Sequence, residues 1–317
     1  MSDTVVDHDA SRLLDAARSG DRKAIARLLT LVERGGGGAH AVGRAVAAAS
    51  SPDAGYTVGI TGAPGAGKST LTSALVGAMR RDGVELAVLA IDPSSPFSGG
   101  AILGDRVRMS DHALDEGVFI RSMATRGHLG GLSVATPEAV RVLDAVGFPW
   151  VVIETVGVGQ VEVEVAGAAD TVVVVVNPGW GDSVQANKAG LMEIADVFVI
   201  NKADRPGARD TRRDLDNMLA LRGGDHPPVI VETVATRDEG LNELWEAIRD
   251  HRHRSTNSGD RARRREARVD DEMRRVLVAR LIERAGAMGE DPRWASARRA
   301  VLDGTVDPWA ATDALID

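Results

Sequence analysis

Short runs of aliphatic and β-branched residues alternate with stretches of helical periodicity through the middle of the chain. The runs are Tyr56–Ile60, Leu86–Ile91, Val151–Glu154, Val172–Asn177, Val197–Ile200 and Val229–Val231. Because they are apolar almost throughout, they predict strands of a mostly parallel sheet that helices cover on both faces. In such an α/β fold, functional residues lie at the carboxyl ends of the strands.

Helical patterns flank this central region. Apolar residues recur at helical spacing within Ser11–Glu33, and the pattern resumes at Val42–Ala49 after four consecutive glycines, which we interpret as a flexible link. A polar linker is expected at Ser255–Gly259, followed by a charged helix with an apolar stripe over Arg261–Met288. We therefore expect an N-terminal helical extension at 1–52, a central domain at 53–253 and a C-terminal helical arm at 254–317.

Composition narrows the possible functions. The chain has 317 residues, a net charge of −8 and no cysteine, which excludes thiolate metal sites and cysteine nucleophiles and argues against a nucleic-acid-binding protein. No apolar run is long enough to span a membrane, so we expect a soluble, cytoplasmic protein without a membrane partner. The basic run over 261–268 is interpreted as a solvated helix face, and His251 and His253 as solvated side chains.

Residues 62–69 match the P-loop pattern in full. The loop follows the first predicted strand and precedes a helix, and its binding positions are Gly62, Ala63, Pro64, Gly65, Ala66, Gly67, Lys68, Ser69 and Thr70. Glycines let the backbone amides surround phosphates, and the helix N-terminus favours negative charge. We expect Lys68 to reach the β- and γ-phosphates and Ser69 to bind Mg²⁺.

The tetrapeptide Asn201-Lys202-Ala203-Asp204 follows a later strand. A carboxylate at Asp204 can accept hydrogen bonds from both N1–H and the exocyclic amine of guanine, whereas adenine offers no such pair of donors. Asn201, Lys202 and Asp204 therefore predict GTP or GDP as the ligand. The alternative is that this segment is a helix cap.

Acidic residues at other strand ends suggest the rest of the site. Glu154 and Gly157 stand where GTPases usually carry Asp-x-x-Gly, so we assign them catalytic roles, with Glu154 also near Mg²⁺. Asp92 and Asp105 are the other candidate metal ligands, although each could instead be a cap or turn residue. Val158 follows Gly157 and cannot orient a water molecule.

A third loop completes the predicted base site. Val234, Ala235 and Thr236 follow the last predicted strand, in the place of the Ser-Ala-x loop that packs on guanine. Valine replaces the serine, so we expect only backbone contacts to the base from this loop.

Taken together, these segments resemble the MeaB/ArgK-type GTPases associated with methylmalonyl-CoA mutase. The matching stretches are GAPGAGKST at 62–70, AIDPSS at 90–95, SGGAILGDRVRM at 98–109, ETVGVGQ at 154–160, NKAD at 201–204 and DEGLNELW at 238–245. The resemblance implies a G domain, a C-terminal arm that forms a homodimer, and delivery or protection of adenosylcobalamin on a B12-dependent acyl-CoA mutase. It also implies that Ser69, Asp92, Asp105 and Glu154 are the Mg²⁺ and switch positions, and that a mobile loop occupies Asn177–Lys188.

Two other functions stay open at the level of sequence. A small-molecule kinase would need an acceptor pocket and usually ATP, and a metal-insertion GTPase usually carries histidine- or cysteine-rich segments, which this chain lacks. The sequence does not specify which mutase is the partner. Since no water-orienting side chain follows Gly157, we expect slow hydrolysis that the partner accelerates, with Lys188 or Arg108 as the candidate stimulating cation.

Overall fold

The computed structural model describes residues 3–49, 55–92, 109–124, 135–155, 165–180, 185–222, 227–289 and 291–316. It divides into two compact units, Met1–Arg265 and Glu266–Asp317. The domain boundaries expected from the sequence, at 52/53 and 253/254, stay predictions.

The first unit is built on a seven-stranded parallel sheet in the order β3-β2-β4-β1-β5-β6-β7. The strands are β1 Tyr56–Gly62, β2 Leu86–Asp92, β3 Val118–Ala124, β4 Trp150–Thr155, β5 Thr171–Val176, β6 Val197–Asn201 and β7 Val229–Thr233. The predicted α/β fold with a parallel sheet is confirmed. The central strands β1, β4 and β5 are buried along their whole length, which is why their sequences show no polar alternation.

Helices precede the first strand, connect several of the strands and follow the last one. They are α1 Asp3–Arg18, α2 Arg22–Arg34, α3 Gly36–Ala49, α4 Lys68–Arg81, α5 Ala135–Val146, α6 Gln185–Ile194, α7 Ala208–Arg222, α8 Leu241–Asn257, α9 Asp260–Met288, α10 Pro292–Leu302 and α11 Pro308–Ile316. Helices α1, α2, α3 and α5 pack on one face of the sheet, and α4 and α8 pack on the other. None of the helices in the described ranges is both long and apolar enough to cross a membrane.

The strand β3 was missed in the sequence. Its central residues Arg121 and Ser122 interrupt the apolar pattern, and it lies at the edge of the sheet. Arg121 is accommodated by the N-terminal helices, because its guanidinium is paired with Glu33 and donates to the hydroxyl of Thr30 at 3.2 Å. An edge strand covered by another layer needs less apolar sequence than a central one.

Two predicted links are helical instead. The glycine run was expected to be a flexible link, but only Gly35 lies outside the helices, with a φ of 71° at the end of α2, and α3 begins at Gly36. Burial of Val42 and Val46 explains how the glycine-rich first turn is retained. Similarly, α8 continues to Asn257, so the polar linker is reduced to the turn at Ser258 and Gly259.

The second unit is helical and carries many exposed apolar side chains. It comprises the remainder of α9 together with α10 and α11. Helices α10 and α11 contact each other. On α9 the residues Val269, Met273, Leu277 and Leu281 are 46%, 66%, 58% and 54% exposed. Their spacing of four residues places them on one face of the helix.

Candidate functional site

The P-loop connects the end of β1 to the start of α4, and two of its glycines are sterically required. Gly62 has a φ of +136°, and a Cβ there would lie 2.0 Å from the carbonyl oxygen of Val175. Gly67 has a φ of +91°, and a Cβ there would lie 2.6 Å from Nδ2 of Asn201. Any side chain at either position would therefore displace a neighbouring strand or loop.

Lys68, the first residue of α4, lies across the loop. Its Nζ donates to the carbonyl oxygens of Gly62 at 2.7 Å and Ala63 at 3.1 Å. The side chains of Lys68 and Ser69 are mostly buried, while Pro64, Gly65 and Thr70 are exposed along the loop. The ammonium group is thus held at the start of a helix, where a phosphate would also be favoured.

A second loop is bonded directly to the P-loop. Asn201, at the end of β6, donates from Nδ2 to the carbonyl oxygen of Ala66 at 2.9 Å. Lys202, with a φ of 60°, donates from Nζ to the carbonyl oxygen of Gly65 at 2.7 Å. The residues predicted to contact phosphate and those predicted to read the base therefore form one connected site.

The third loop is attached through the same asparagine. Oδ1 of Asn201 accepts hydrogen bonds from Oγ1 of Thr233 at 3.2 Å and from the backbone amide of Ala235 at 3.3 Å. The side chain of Val234 is buried, which agrees with the expectation that it offers no polar contact to a base. Asn201 thus connects the ends of three segments that are far apart in sequence.

These loops enclose a cavity of about 120 Å³. It is lined by Gly67, Thr70, Asn201, Lys202, Asp204, Arg205, Val234, Ala235 and Thr236. All of the residues predicted to read the base line this cavity. Arg205 lines it too, although the sequence analysis did not single it out.

Asp204 has a partner that the sequence analysis also missed. Nη2 of Arg237 lies 3.1 Å from Oδ2 of Asp204, and Nη1 of the same arginine lies 3.8 Å from Glu239. Arg237 ends the short 3₁₀ turn Ala235–Arg237 that follows β7. No motif marks this position, so only the fold reveals the pair.

The predicted metal ligands are only partly covered by the described residues. Glu154 is buried in β4, one residue before its end, and Ser69 is the second residue of α4. Asp92 ends β2, but its side chain is not described, and Asp105 lies outside the described residues. Within the described ranges there is no cluster of three or more acidic or histidine side chains that could hold a metal ion.

The remaining catalytic predictions fall largely outside the described structure. Gly157 is not among the described residues, and neither is Arg108. Lys188 lies in α6, of which the backbone is described at this position but the side chain is not. The proposed catalytic roles of Gly157 and Lys188 therefore stay predictions.

A polar cluster lies at the opposite, amino-terminal edge of the sheet, and it corrects two expectations. His251 was expected to be solvated, but its side chain is 12% exposed, with Nδ1 2.7 Å from Oγ1 of Thr171 and Nε2 3.3 Å from Asp196. Arg264 was placed on a solvated face, but it makes two hydrogen bonds of 2.9 Å to Asp196. These side chains pack at the amino-terminal edge of the sheet because α8 brings His251 there and the start of α9 brings Arg264.

Charge pairing controls the ionisation of Asp196. Burial by itself would raise the pKa of this carboxyl group, but the hydrogen bonds from His251 and Arg264 outweigh it and lower the pKa below 3.8. Burial likewise raises the pKa of the neighbouring Tyr56 phenol. The cluster is remote from the P-loop, because it lies at the other end of the strands.

Comparison with known proteins agrees with this geometry. Residues 25–290 match the family model described as methylmalonyl Co-A mutase-associated GTPase MeaB. A protein of Pyrococcus abyssi named as a GTPase is 47% identical over 96% of this chain and 95% of its own length. GTPase ArgK of Escherichia coli is 40% identical over 76% of each chain.

Solved structures give the same result for the fold. The crystal structure of a LAO/AO transport system kinase superposes with a TM-score of 0.68 and 28% identity, over 99% of this chain and 97% of the other. With a complete P-loop, a second loop bonded to it and a family match over most of its length, the chain belongs to the methylmalonyl-CoA mutase-associated MeaB family of GTPases.

Proposed function

We propose that this GTPase binds GTP and GDP in the site formed by the P-loop and the cavity beside it. The observation that carries the proposal is the position of Asp204, a carboxylate that lines a small cavity joined to the P-loop through Asn201. A guanine ring in the cavity would offer two donors to this carboxylate, whereas adenine would leave it without them.

We infer that Mg²⁺ would bind at the phosphate end of this site. The hydroxyl of Ser69 and the carboxylate of Glu154 are oxygen ligands of the kind Mg²⁺ prefers, and both lie at the phosphate end of the site, Ser69 just after the P-loop and Glu154 near the end of the strand beside β1. Asp92, the third candidate ligand, ends the neighbouring strand β2, two residues beyond Ala90, which is paired with Glu154. When bound there, Mg²⁺ would offset the negative charge of the β- and γ-phosphates.

This chain's own residues would do the rest of the binding and positioning. Lys68 would exchange its contacts with Gly62 and Ala63 for phosphate oxygens. Backbone amides from Gly65 to Ser69 would surround the same phosphates, and the N-terminus of α4 would favour their charge. We propose that the backbone amide of Gly157 contacts the γ-phosphate and that Lys188 accelerates hydrolysis.

We further propose that the GTPase acts as a chaperone for a B12-dependent acyl-CoA mutase. Support comes from the family description, which names methylmalonyl-CoA mutase as the associated enzyme. In this role, hydrolysis would control the delivery or protection of adenosylcobalamin. A kinase role is favoured less, because Asp204 lines a cavity suited to guanine rather than adenine.

Two experiments test these proposals in order. In a competition assay with fluorescent GDP, unlabelled GTP and GDP should displace the probe, and ATP should not at the same concentrations. Purified methylmalonyl-CoA mutase should then co-elute with the GTPase in gel filtration, and an unrelated acyl-CoA enzyme should not. Displacement by ATP would contradict the first proposal, and absence of co-elution in every nucleotide state would contradict the second for this mutase.

We also propose that the second unit forms a homodimer. Its long helix α9 carries the exposed stripe Val269, Met273, Leu277 and Leu281, and a helix with such a stripe normally buries it against another surface. A second copy of the same chain would cover the stripe by symmetry.

A further inference from the structure

The ion pair between Arg237 and Asp204 lies beside the proposed guanine site but on its outer side. Asp204 lines the cavity, and so does Thr236, the residue before Arg237. The cavity lining does not include Arg237, although its Nη2 is 3.1 Å from Oδ2 of Asp204. The guanidinium therefore contacts one oxygen of the carboxylate, Oδ2, without itself lining the cavity.

The backbone at both ends of this ion pair is held firmly. The amide of Arg237 donates to the carbonyl oxygen of Val234 at 2.8 Å, and the amide of Val234 donates to Glu239 at 3.1 Å. On the other side, the amide of Arg205 donates to the carbonyl oxygen of Lys202 at 3.0 Å. Two short, bonded turns thus present Arg237 and Asp204 to each other.

Arg237 has a second carboxylate that helps to fix it. Glu239 is 3.8 Å from Nη1, so the two ends of the guanidinium face two acidic groups. The side chain of Asp204 is 34% exposed and that of Arg237 is 58% exposed. At this exposure the pair contributes little to overall stability, but a fork-shaped guanidinium can still restrict the orientation of a carboxylate.

We propose that Arg237 is a positioning residue for base selection, which holds the carboxylate of Asp204 in the orientation that accepts the two donors of guanine. This inference rests on the proposed binding of guanine by Asp204. A fixed carboxylate rejects a base that presents a carbonyl oxygen where guanine has its amine, since the two oxygens repel each other. Without Arg237 the carboxylate can rotate away, so both the attraction to guanine and the rejection of xanthine weaken.

The test is to measure the affinities of Arg237→Ala for GDP and for xanthosine diphosphate. We expect GDP affinity to fall about two- to fivefold, which is the range for an exposed ion pair, while xanthosine diphosphate affinity stays the same or rises. The ratio of the two affinities should therefore fall. Arg237→Lys keeps the charge but not the planar fork, so it should give an intermediate ratio.

Arg81→Ala is the matched control. Arg81, the last residue of α4, lies 3.7 Å from Asp238, the residue after Arg237. This variant therefore removes an arginine that contacts the same turn and leaves the pair between Arg237 and Asp204 in place. It should keep the wild-type ratio. If Arg81→Ala lowers the ratio as much as Arg237→Ala does, general loosening of the turn explains the effect and the inference is wrong.

Other outcomes would also overturn the positioning role of Arg237. An unchanged ratio in Arg237→Ala, or tighter GDP binding because the arginine competes with guanine, would overturn the positioning role while leaving guanine binding by Asp204 intact. If wild-type protein did not prefer GDP to xanthosine diphosphate, the proposed base site and this inference would both be wrong. Titrations of the wild type with GDP and with xanthosine diphosphate separate these two cases.

Discussion

The side-chain amide of Asn201 donates to the carbonyl oxygen of Ala66 at 2.9 Å, and this bond joins the loop after β6 to the P-loop. Asn201 is 2% exposed, and its side-chain oxygen Oδ1 accepts two further hydrogen bonds, from Thr233 at the end of β7 and from the backbone amide of Ala235 just after it. A single buried side chain therefore connects three strand ends around the proposed nucleotide site.

We predict that Asn201→Ala will destabilise the first unit and weaken nucleotide binding. The variant removes three hydrogen bonds and leaves the carbonyl oxygen of Ala66 without its side-chain donor, so the free energy of unfolding should fall by about 2 kcal/mol. Thr233→Val removes only one of these bonds and should cost about 1 kcal/mol. Urea unfolding measures both, and equal stability of the two variants would contradict the connecting role of Asn201.

A second prediction separates phosphate binding from base reading. Lys68→Ala should lower the hydrolysis rate by at least about 100-fold, because it removes a fixed charge next to the γ-phosphate. Asp204→Asn should lower GDP affinity about 10- to 100-fold and shift the preference toward xanthosine diphosphate. Asp210→Asn changes an exposed aspartate on α7 that pairs with Arg213, and should have no effect. An unchanged base preference in Asp204→Asn would show that Asp204 does not read the base.

Sequence motifs indicated the residues of the proposed nucleotide site, whereas the contacts around these residues came only from the structure. Phosphates and guanine impose fixed residue types on short segments, so Lys68 and Asp204 could be identified from motifs placed at strand ends. Arg237 could not, because an arginine in an exposed turn is common and its contact with Asp204 depends on how two distant turns approach each other. Specific long-range pairing of this kind is absent from local sequence patterns.

The same distinction applies to the fold. The buried strands were found because a central parallel strand is apolar on both faces, whereas the edge strand β3 was missed because Arg121 pairs with a residue of another layer. His251 was misjudged for a similar reason. A histidine near a helix end is usually solvated, and only the fold brings it against Thr171 and Asp196.

The cluster around Asp196 leads to a prediction about pH. Because hydrogen bonds hold the folded-state pKa of Asp196 below its ordinary value, its ionised form stabilises the fold above about pH 3.8, and that contribution is lost as the pH falls through the lower, folded-state pKa. Asp196→Asn should therefore destabilise the protein at pH 7, by about 2 kcal/mol, since Arg264 loses a charged partner and keeps Asp260.

The difference between Asp196→Asn and wild type should shrink when the pH is lowered below 3.8. Asp216→Asn is the control, because Asp216 forms an exposed pair with Arg212 on α7 and should change stability by less than about 1 kcal/mol. Urea unfolding at pH 7 and at pH 3 compares the three proteins. A difference for Asp196→Asn that is the same at both pH values would contradict the assigned titration.

A fourth prediction concerns the oligomer. Leu277→Arg places a charge in the centre of the exposed stripe on α9 and should convert a dimer to a monomer in light scattering. Asp271→Arg introduces the same side chain on the same helix but outside the row Val269, Met273, Leu277 and Leu281, and should remain dimeric. A protein ending at His253 should be monomeric, and a dimer in that shortened form would place the interface elsewhere.

The last prediction concerns the control of hydrolysis. Val158 stands where many GTPases have a glutamine that orients water, so hydrolysis by the GTPase alone should be slow. A cation that enters the site when a partner binds can accelerate GTP hydrolysis by roughly 10³- to 10⁵-fold. We assign this role to Lys188 and expect methylmalonyl-CoA mutase to stimulate single-turnover hydrolysis by the wild type. Lys188→Ala should lose most of the stimulation while keeping GDP affinity, and Lys188→Arg should retain part of it, because it keeps the charge.

Equal rates with and without the mutase would contradict partner control. Full stimulation of Lys188→Ala would instead transfer the role to Arg108 or to a cation of the mutase, which charge-removing variants at those positions would then distinguish.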